Sequence, residues 1–123
     1  MQWRRRRPAH KGLIMQLIKA IIRPNKVDDV KEALEKIGVA GMTVTEVRGH
    51  GQQKGHTAVY RGKEYAVSLL PKMSIETVVA DSVVEMAIKA IATAARTGEI
   101  GDGRVFVTPV AFSYKIRTGE RES

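Results

Sequence analysis

The chain contains no cysteine. Disulfides, thiolate nucleophiles and cysteine-ligated zinc are excluded, and a reducing compartment such as the cytoplasm is the expected setting. Aromatic residues make up only 5%, so the core has to be assembled from Val, Ile, Leu, Ala and Met. No apolar run approaches the ~20 residues that span a bilayer, and membrane insertion is not expected. Against these absences, 43% hydrophobic and 28% charged residues are ordinary for a globular protein, and 123 residues fit one domain.

The net charge of +8 invites a nucleic-acid reading, but the charge is unevenly placed. Arg4, Arg5, Arg6, Arg7 and Lys11 lie in residues 1–14, which hold no acid; the remaining 16 basic and 13 acidic residues leave the rest at +3. Residues 1–14 lack the apolar stretch of a secretory signal and the serine enrichment of a transit peptide. They are expected to be a disordered or non-native basic extension with no part in ligand binding. Met15, directly before the first strand-like run, is a candidate natural start, and residues 15–123 form the domain.

Gln16 to Arg23 is a short apolar run stopped by Pro24 and is expected to form a buried strand. Asn25 is placed to cap a helix with Asp28 and Asp29 in its first turn, Val27, Val30, Leu34 and Ile37 on one stripe, and Gly38 at its end. Met42 to Arg48 is rich in Thr and Val and reads as a second strand. Residues 49–70 have four glycines and no sustained period, which marks a functional loop. Lys72 to Ala80 alternates as a strand. Ser82-Val-Val-Glu85 is a capping-box pattern before a stripe of Val84, Ala87, Ile88, Ile91, Ala92 and Ala95 that ends near Gly98. Val105–Val107 and Ala111–Thr118 are expected strands, the latter with Phe112 and Tyr114 facing the core. The order is α+β and ferredoxin-like, βαββαβ with a long flexible loop between strands 2 and 3. Both helices then cover one sheet face, and the other face requires a cover, which self-association would supply.

Three features bear on chemistry. Thr97-Gly-Glu-Ile-Gly-Asp-Gly-Arg104 has three glycines in six residues, which lets backbone amides converge on a polyphosphate, with Arg104 at the rim. On spacing alone the same tract is equally a helix C-cap followed by a turn, and it is neither a Walker A loop nor a dinucleotide fingerprint. Lys115 and Arg117, two apart on an expected strand, share a face and with Arg104 and Lys72 match a triphosphate's charge; a solvated surface is the alternative. The 49–70 loop offers glycine amides and the Gln53 side chain. Its His50 and His56, even with His10, lack the third ligand and carboxylate of a convincing metal site.

Gly51-Gln-Gln-Lys-Gly-His56, Tyr60-Arg-Gly-Lys-Glu-Tyr65, Thr97 to Val107 and Ile116-Arg-Thr-Gly119 together resemble the PII family of nitrogen-regulatory signal-transduction proteins, without an evident gap from Met15 to about Glu120. The resemblance implies a homotrimer of ferredoxin-like subunits with ATP or ADP bound in the clefts between them. It implies nucleotide contacts from Thr43, Gly51, Gln52, Gln53, Glu76, Val78, Thr97, Gly101, Asp102, Gly103, Arg104, Lys115 and Arg117. It further implies 2-oxoglutarate bound by Gln53, Lys54, Gly55 and Lys72, through a magnesium ion on the ATP phosphates for which Gln53 is a ligand. Three departures stand out: Gln52 where Arg is common, Lys63 where many members have a small residue, and Lys115 for a frequent Arg. Lys63 excludes phosphorylation there, whereas Tyr65 matches a tyrosine that some members have nucleotidylated.

The expected function is a non-enzymatic cytoplasmic regulator of nitrogen, carbon and energy status. Its 49–70 loop would meet targets such as an ammonium transporter or nitrogen-metabolism enzymes and regulators. The alternatives are an RNA-binding ferredoxin-like module, prompted by the basic tail and Phe106, an acylphosphatase-like hydrolase, and a diverged PII-like sensor of another small metabolite. Direct nucleic-acid binding is not expected, because the chain offers little besides Phe106 for base stacking.

Overall fold

A computed structural model describes residues 14–50, 57–60, 63–66 and 69–122. The elements are β1 (Met15–Ile22), α1 (Val27–Lys36), β2 (Thr43–Gly49), β3 (Thr57–Tyr60), β4 (Lys63–Ala66), β5 (Leu70–Ala80), α2 (Val84–Ala95), β6 (Arg104–Val110), β7 (Ser113–Tyr114) and β8 (Arg121–Glu122). Four strands form one antiparallel sheet in the order β2-β5-β1-β6. This is the ferredoxin-like α+β arrangement expected from the sequence, with β5 and β6 as its third and fourth strands.

Alternation decides the two faces. Ile18, Ala20 and Ile22 of β1 and Ile75 and Val79 of β5 are buried and join Val30 and Leu34 of α1 and Val84, Ala87, Ile91 and Ala95 of α2 in one core. Thr77 is also buried on this face and donates its hydroxyl to the Gly41 carbonyl. Both helices therefore lie on one side. On the other side the register sets Phe106, Lys19, Glu76 and Thr43 in one cross-strand row and Arg104, Ile21, Ser74 and Thr45 in the next. Phe106 and Val78 remain exposed on it, and Lys19 pairs with Glu76 at 3.8 Å.

The helix ends differ from the sequence expectation. Neither helix starts on a capping side chain: Pro24–Lys26 and Asp81–Val83 each form a 3-10 turn leading into it, and neither Asn25 nor Ser82 makes a capping hydrogen bond. Pro24 fits the first position of such a turn because its missing N–H would lack a partner there anyway. At the other end of α1, Gly38 adopts φ +91° and donates to Glu35, while Val39 donates to Leu34 and buries its side chain, closing a Schellman motif. Helix α2 stops at Ala95, short of Gly98, because Arg96 is already extended.

Three strand expectations are corrected. The 49–70 segment contains a hairpin, with Thr57 opposite Ala66 and Tyr60 opposite Lys63. Its β-branched and aromatic residues flank two residues ending in Gly62, a short-hairpin pattern too brief to register as a period. Strand β6 runs to Val110, and as an edge strand it tolerates Pro109. Ala111–Thr118 is not one strand: Ser113–Tyr114 folds back on Arg121–Glu122, with Gly119 at φ +73° in the connection. Phe112 and Tyr114 are consequently exposed rather than core-facing; they meet edge to face, and the Arg121 guanidinium sits 4.3 Å from the Phe112 ring centre.

The fully buried Leu34 anchors α1 to this core, so Leu34→Ala is expected to lower unfolding free energy by about 2–5 kcal/mol in a denaturant titration.

Candidate functional site

The segment joining α2 to β6 is built around the Asp102 carboxylate. Its Oδ2 accepts the backbone N–H groups of Thr97 (2.8 Å) and Gly98 (2.9 Å). Its Oδ1 accepts the Thr97 hydroxyl and the Arg23 Nε–H, the latter at 3.1 Å. Thr97 Oγ1 in turn accepts the Glu99 N–H. The Thr97 hydroxyl and amide bonds, followed by those of Gly98 and Arg23, hold the Asp102 carboxyl well below the usual carboxylate range.

Two cations grip the same loop from adjacent strands. Arg23, just past β1, donates from Nη2 to the Ile100 carbonyl at 3.0 Å. Lys72 of β5 donates from Nζ to the Gly101 carbonyl at 2.7 Å. Lys72 is only 8% exposed despite lying on the face without helices. Burial, and then the nearby Arg23 charge, push its ammonium below the ordinary lysine value, with Asp102 opposing.

These two bonds orient the loop's peptides. In a planar trans peptide the carbonyl and the following N–H point in opposite directions. With the Ile100 and Gly101 carbonyls turned toward Arg23 and Lys72, the N–H groups of Gly101 and Asp102 point the other way. No hydrogen bond among the described residues uses either of them. Gly98, Gly101 and Gly103 have φ of +93°, +106° and +106°. Gly103 carries a second constraint, since a Cβ there would overlap the Ile21 carbonyl oxygen in β1. Outward amides on an open glycine loop beside the exposed Arg104 suit a phosphate group, so the residues present fit a polyphosphate ligand.

The other residues singled out from the sequence are only partly assembled. Thr43, Glu76 and Val78 share the face without helices, at the β2–β5 side. Arg104 lies on β6, at the opposite edge, three strand spacings (about 14 Å) from Thr43 on β2 and two (about 10 Å) from Glu76 and Val78 on β5. On one chain's sheet the two groups are thus kept apart by β1 and, for Thr43, also by β5. Lys115 and Arg117 are not neighbours on one strand face as expected, because the chain turns between β7 and β8; Lys115 pairs with Glu122 at 3.7 Å. Gly51, Gln52, Gln53, Lys54 and Gly55 lie outside the described residues, as do His10 and His56. Tyr65 falls in β4, opposite Ala58. No cluster of three metal-ligating side chains occurs among the described residues, and no helix among them is long and apolar enough to cross a membrane.

Sequence reasoning missed Arg23 and Ser74. Arg23 is 79 residues from Asp102, and only the β1–β6 pairing makes them neighbours. Ser74 is 3% exposed, and its hydroxyl has no partner among the described residues.

A family model described as "Nitrogen regulatory protein P-II" matches residues 15–120. The chain is 60% identical over 107 residues to a protein of that name from Azospirillum brasilense, covering 87% of this chain and 96% of the relative. It is 56% identical over 109 residues to one from Rhizobium etli, covering 89% and 97%. It is 56% identical over 108 residues to "Nitrogen regulatory protein P-II 1" of Escherichia coli, covering 88% and 96%.

Gly103→Ala is expected to lower stability by about 2 kcal/mol or more, because a strained φ is joined by backbone overlap, whereas Gly98→Ala, with open space around it, should cost about 1 kcal/mol; denaturant titration of both variants separates the two terms. Since the folded state depresses the Asp102 pKa, its contribution is complete above the unfolded value of ~3.9 and is lost as pH falls below it. The gap in thermal midpoint between wild type and Asp102→Asn should therefore be constant from about pH 5 to 7 and shrink below about pH 4.

Proposed function

The chain belongs to the P-II family of nitrogen regulatory proteins, and from that membership we propose that it senses energy and carbon status by binding ATP or ADP and, with Mg-ATP, 2-oxoglutarate. The supporting observation is the pair of N–H groups at Gly101 and Asp102, without partners among the described residues and aimed away from the cations that hold the neighbouring carbonyls. Gly101, Asp102, Gly103 and Arg104 receive the phosphates; Asp102 does so through its amide, since its carboxylate is engaged inside the loop. Thr97 acts through the same carboxylate. Thr43, Glu76 and Val78 form the wall for the base.

Their separation from Arg104 across the sheet favours a site completed between copies of the chain. A homotrimer brings the β2 side of one subunit to the loop of the next and covers the sheet face that carries Phe106 and Val78. Lys115 and Arg117 add charge from the β7–β8 hairpin, and Gly51 and Gln52 add uncharged contacts from the 49–70 loop. Lys115 supplies a point charge rather than the planar fork of the commoner Arg, and Gln52 supplies none, so phosphate binding leans more heavily on the loop amides.

Magnesium, when bound, neutralises charge between the triphosphate and the dicarboxylate. Gln53 is assigned as its side-chain ligand, with Lys54 and Gly55 lining the effector. Lys72 pairs with an effector carboxylate and so exchanges the Gly101 carbonyl for a charged partner. Binding biases the 49–70 loop among conformations that fit or misfit a target protein. Targets of the expected kind are an ammonium transporter or nitrogen-metabolism enzymes and regulators. The protein acts in the cytoplasm as a regulator, not an enzyme, and Tyr65 is a candidate modification site.

In calorimetry, wild type is expected to bind ATP and ADP, and to bind 2-oxoglutarate only with magnesium and ATP present. Gln53→Ala and Lys72→Ala should each abolish 2-oxoglutarate binding; Gln53→Ala should largely retain ADP, and Lys72→Ala should lose only a few-fold in ADP affinity, for the one amide whose direction its Gly101 contact sets. Full effector affinity in either variant would refute the assignment.

A further inference from the structure

Arg23 touches no ligand in the reading above, yet it makes two of the contacts that shape the glycine loop. Its Nε holds Asp102 Oδ1 at 3.1 Å and its Nη2 holds the Ile100 carbonyl at 3.0 Å. The guanidinium is thereby engaged at two points on opposite sides of Gly101. Its side chain is only 25% exposed, so the fork is held in place rather than sampling solvent.

We infer that Arg23 is a positioning residue for phosphate recognition: it fixes the 100–101 peptide so that the Gly101 N–H faces the ligand. The reasoning follows from peptide geometry. The Ile100 carbonyl and the Gly101 N–H belong to one planar unit, so a donor fixed on the carbonyl fixes the direction of the amide. Glycine on the C-terminal side of that unit leaves the peptide free to rotate, because Gly101 has access to either sign of φ. The observed φ of +106° is thus one option among several. Asp102 alone cannot select it, since its carboxylate holds Thr97 and Gly98 on the far side of the turn. Arg23 joins the two, tying the carboxylate to the peptide whose amide matters.

Lys72 performs the same task for the next peptide through the Gly101 carbonyl. Its assigned role toward 2-oxoglutarate would withdraw it, whereas Arg23 is committed to the loop by two bonds. Arg23 therefore maintains the amide direction when Lys72 is drawn away. A guanidinium suits this work better than an ammonium, because its planar fork spans two acceptors in fixed geometry.

The inference rests on the proposed nucleotide site, and the test separates the two. ADP affinity is measured by calorimetry for wild type, Arg23→Met, Asp102→Asn and the double variant, with thermal melts to confirm folding. Each single variant is expected to weaken ADP binding about tenfold. Because both act through one loop conformation, the double variant should lose about 10- to 20-fold rather than the ~100-fold of independent effects. An additive loss would mean that Arg23 acts on the phosphates by direct charge and would overturn the inference. So would Arg23→Met binding ADP within twofold of wild type. Should Arg23→Met not fold, Arg23→Lys carries the decision, since it keeps the charge but not the fork. A threefold or greater loss with stability intact supports positioning, and wild-type affinity contradicts it. Failure of wild type to bind ADP at all would instead remove the nucleotide site on which the inference stands.

Discussion

A carboxylate with four donors sits where α2 gives way to β6, and the geometry of the candidate site follows from it. Asp102 collects the Thr97 and Gly98 amides just past the helix, a hydroxyl from Thr97 and the guanidinium of Arg23. Charge-assisted hydrogen bonds of this kind are roughly twice as strong as neutral ones. They close the turn tightly enough for Gly103 to pass against the Ile21 carbonyl, a contact no other residue type would allow. The loop is thereby fastened to β1, an interior strand of the sheet, and two of its amides are left facing outward.

The same arrangement places opposite charges in a compact sequence of contacts. Burial lowers the proton affinity of Lys72, the nearby Arg23 charge adds to this, and Asp102 partly restores it. A cation held in this way is a good partner for an incoming carboxylate, because its present acceptor, the Gly101 carbonyl, is neutral. The geometry gives a physical route by which an effector at Lys72 and a phosphate at the loop amides would sense each other within one chain.

Much of the fold was legible because it rests on local rules. The stripe Val30–Leu34 and the alternation Ile75, Thr77, Val79 became buried faces as their periods predicted, and Gly38 ended α1 in the left-handed conformation that its position required. What failed was chemistry that competes with another local option. Asn25 and Ser82 could cap only if the chain entered each helix directly, and it enters through 3-10 turns instead. Phe112 and Tyr114 alternated like core residues, but the turn after Tyr114 folds β7 onto β8 away from the main sheet. In the site, the glycines announced an open loop, while the partners of Asp102 were invisible: Arg23 is brought near only by strand pairing across most of the chain.

The central claim is that the loop receives phosphate through amides directed by the Arg23 and Lys72 contacts. The most direct measurement is an NMR titration of 15N-labelled protein, following the Gly101 and Asp102 amides with ADP and, separately, with adenosine. The account predicts large shifts at both amides with ADP and little movement with adenosine at matched occupancy. ADP binding that leaves the Gly101 and Asp102 amides unmoved would contradict it.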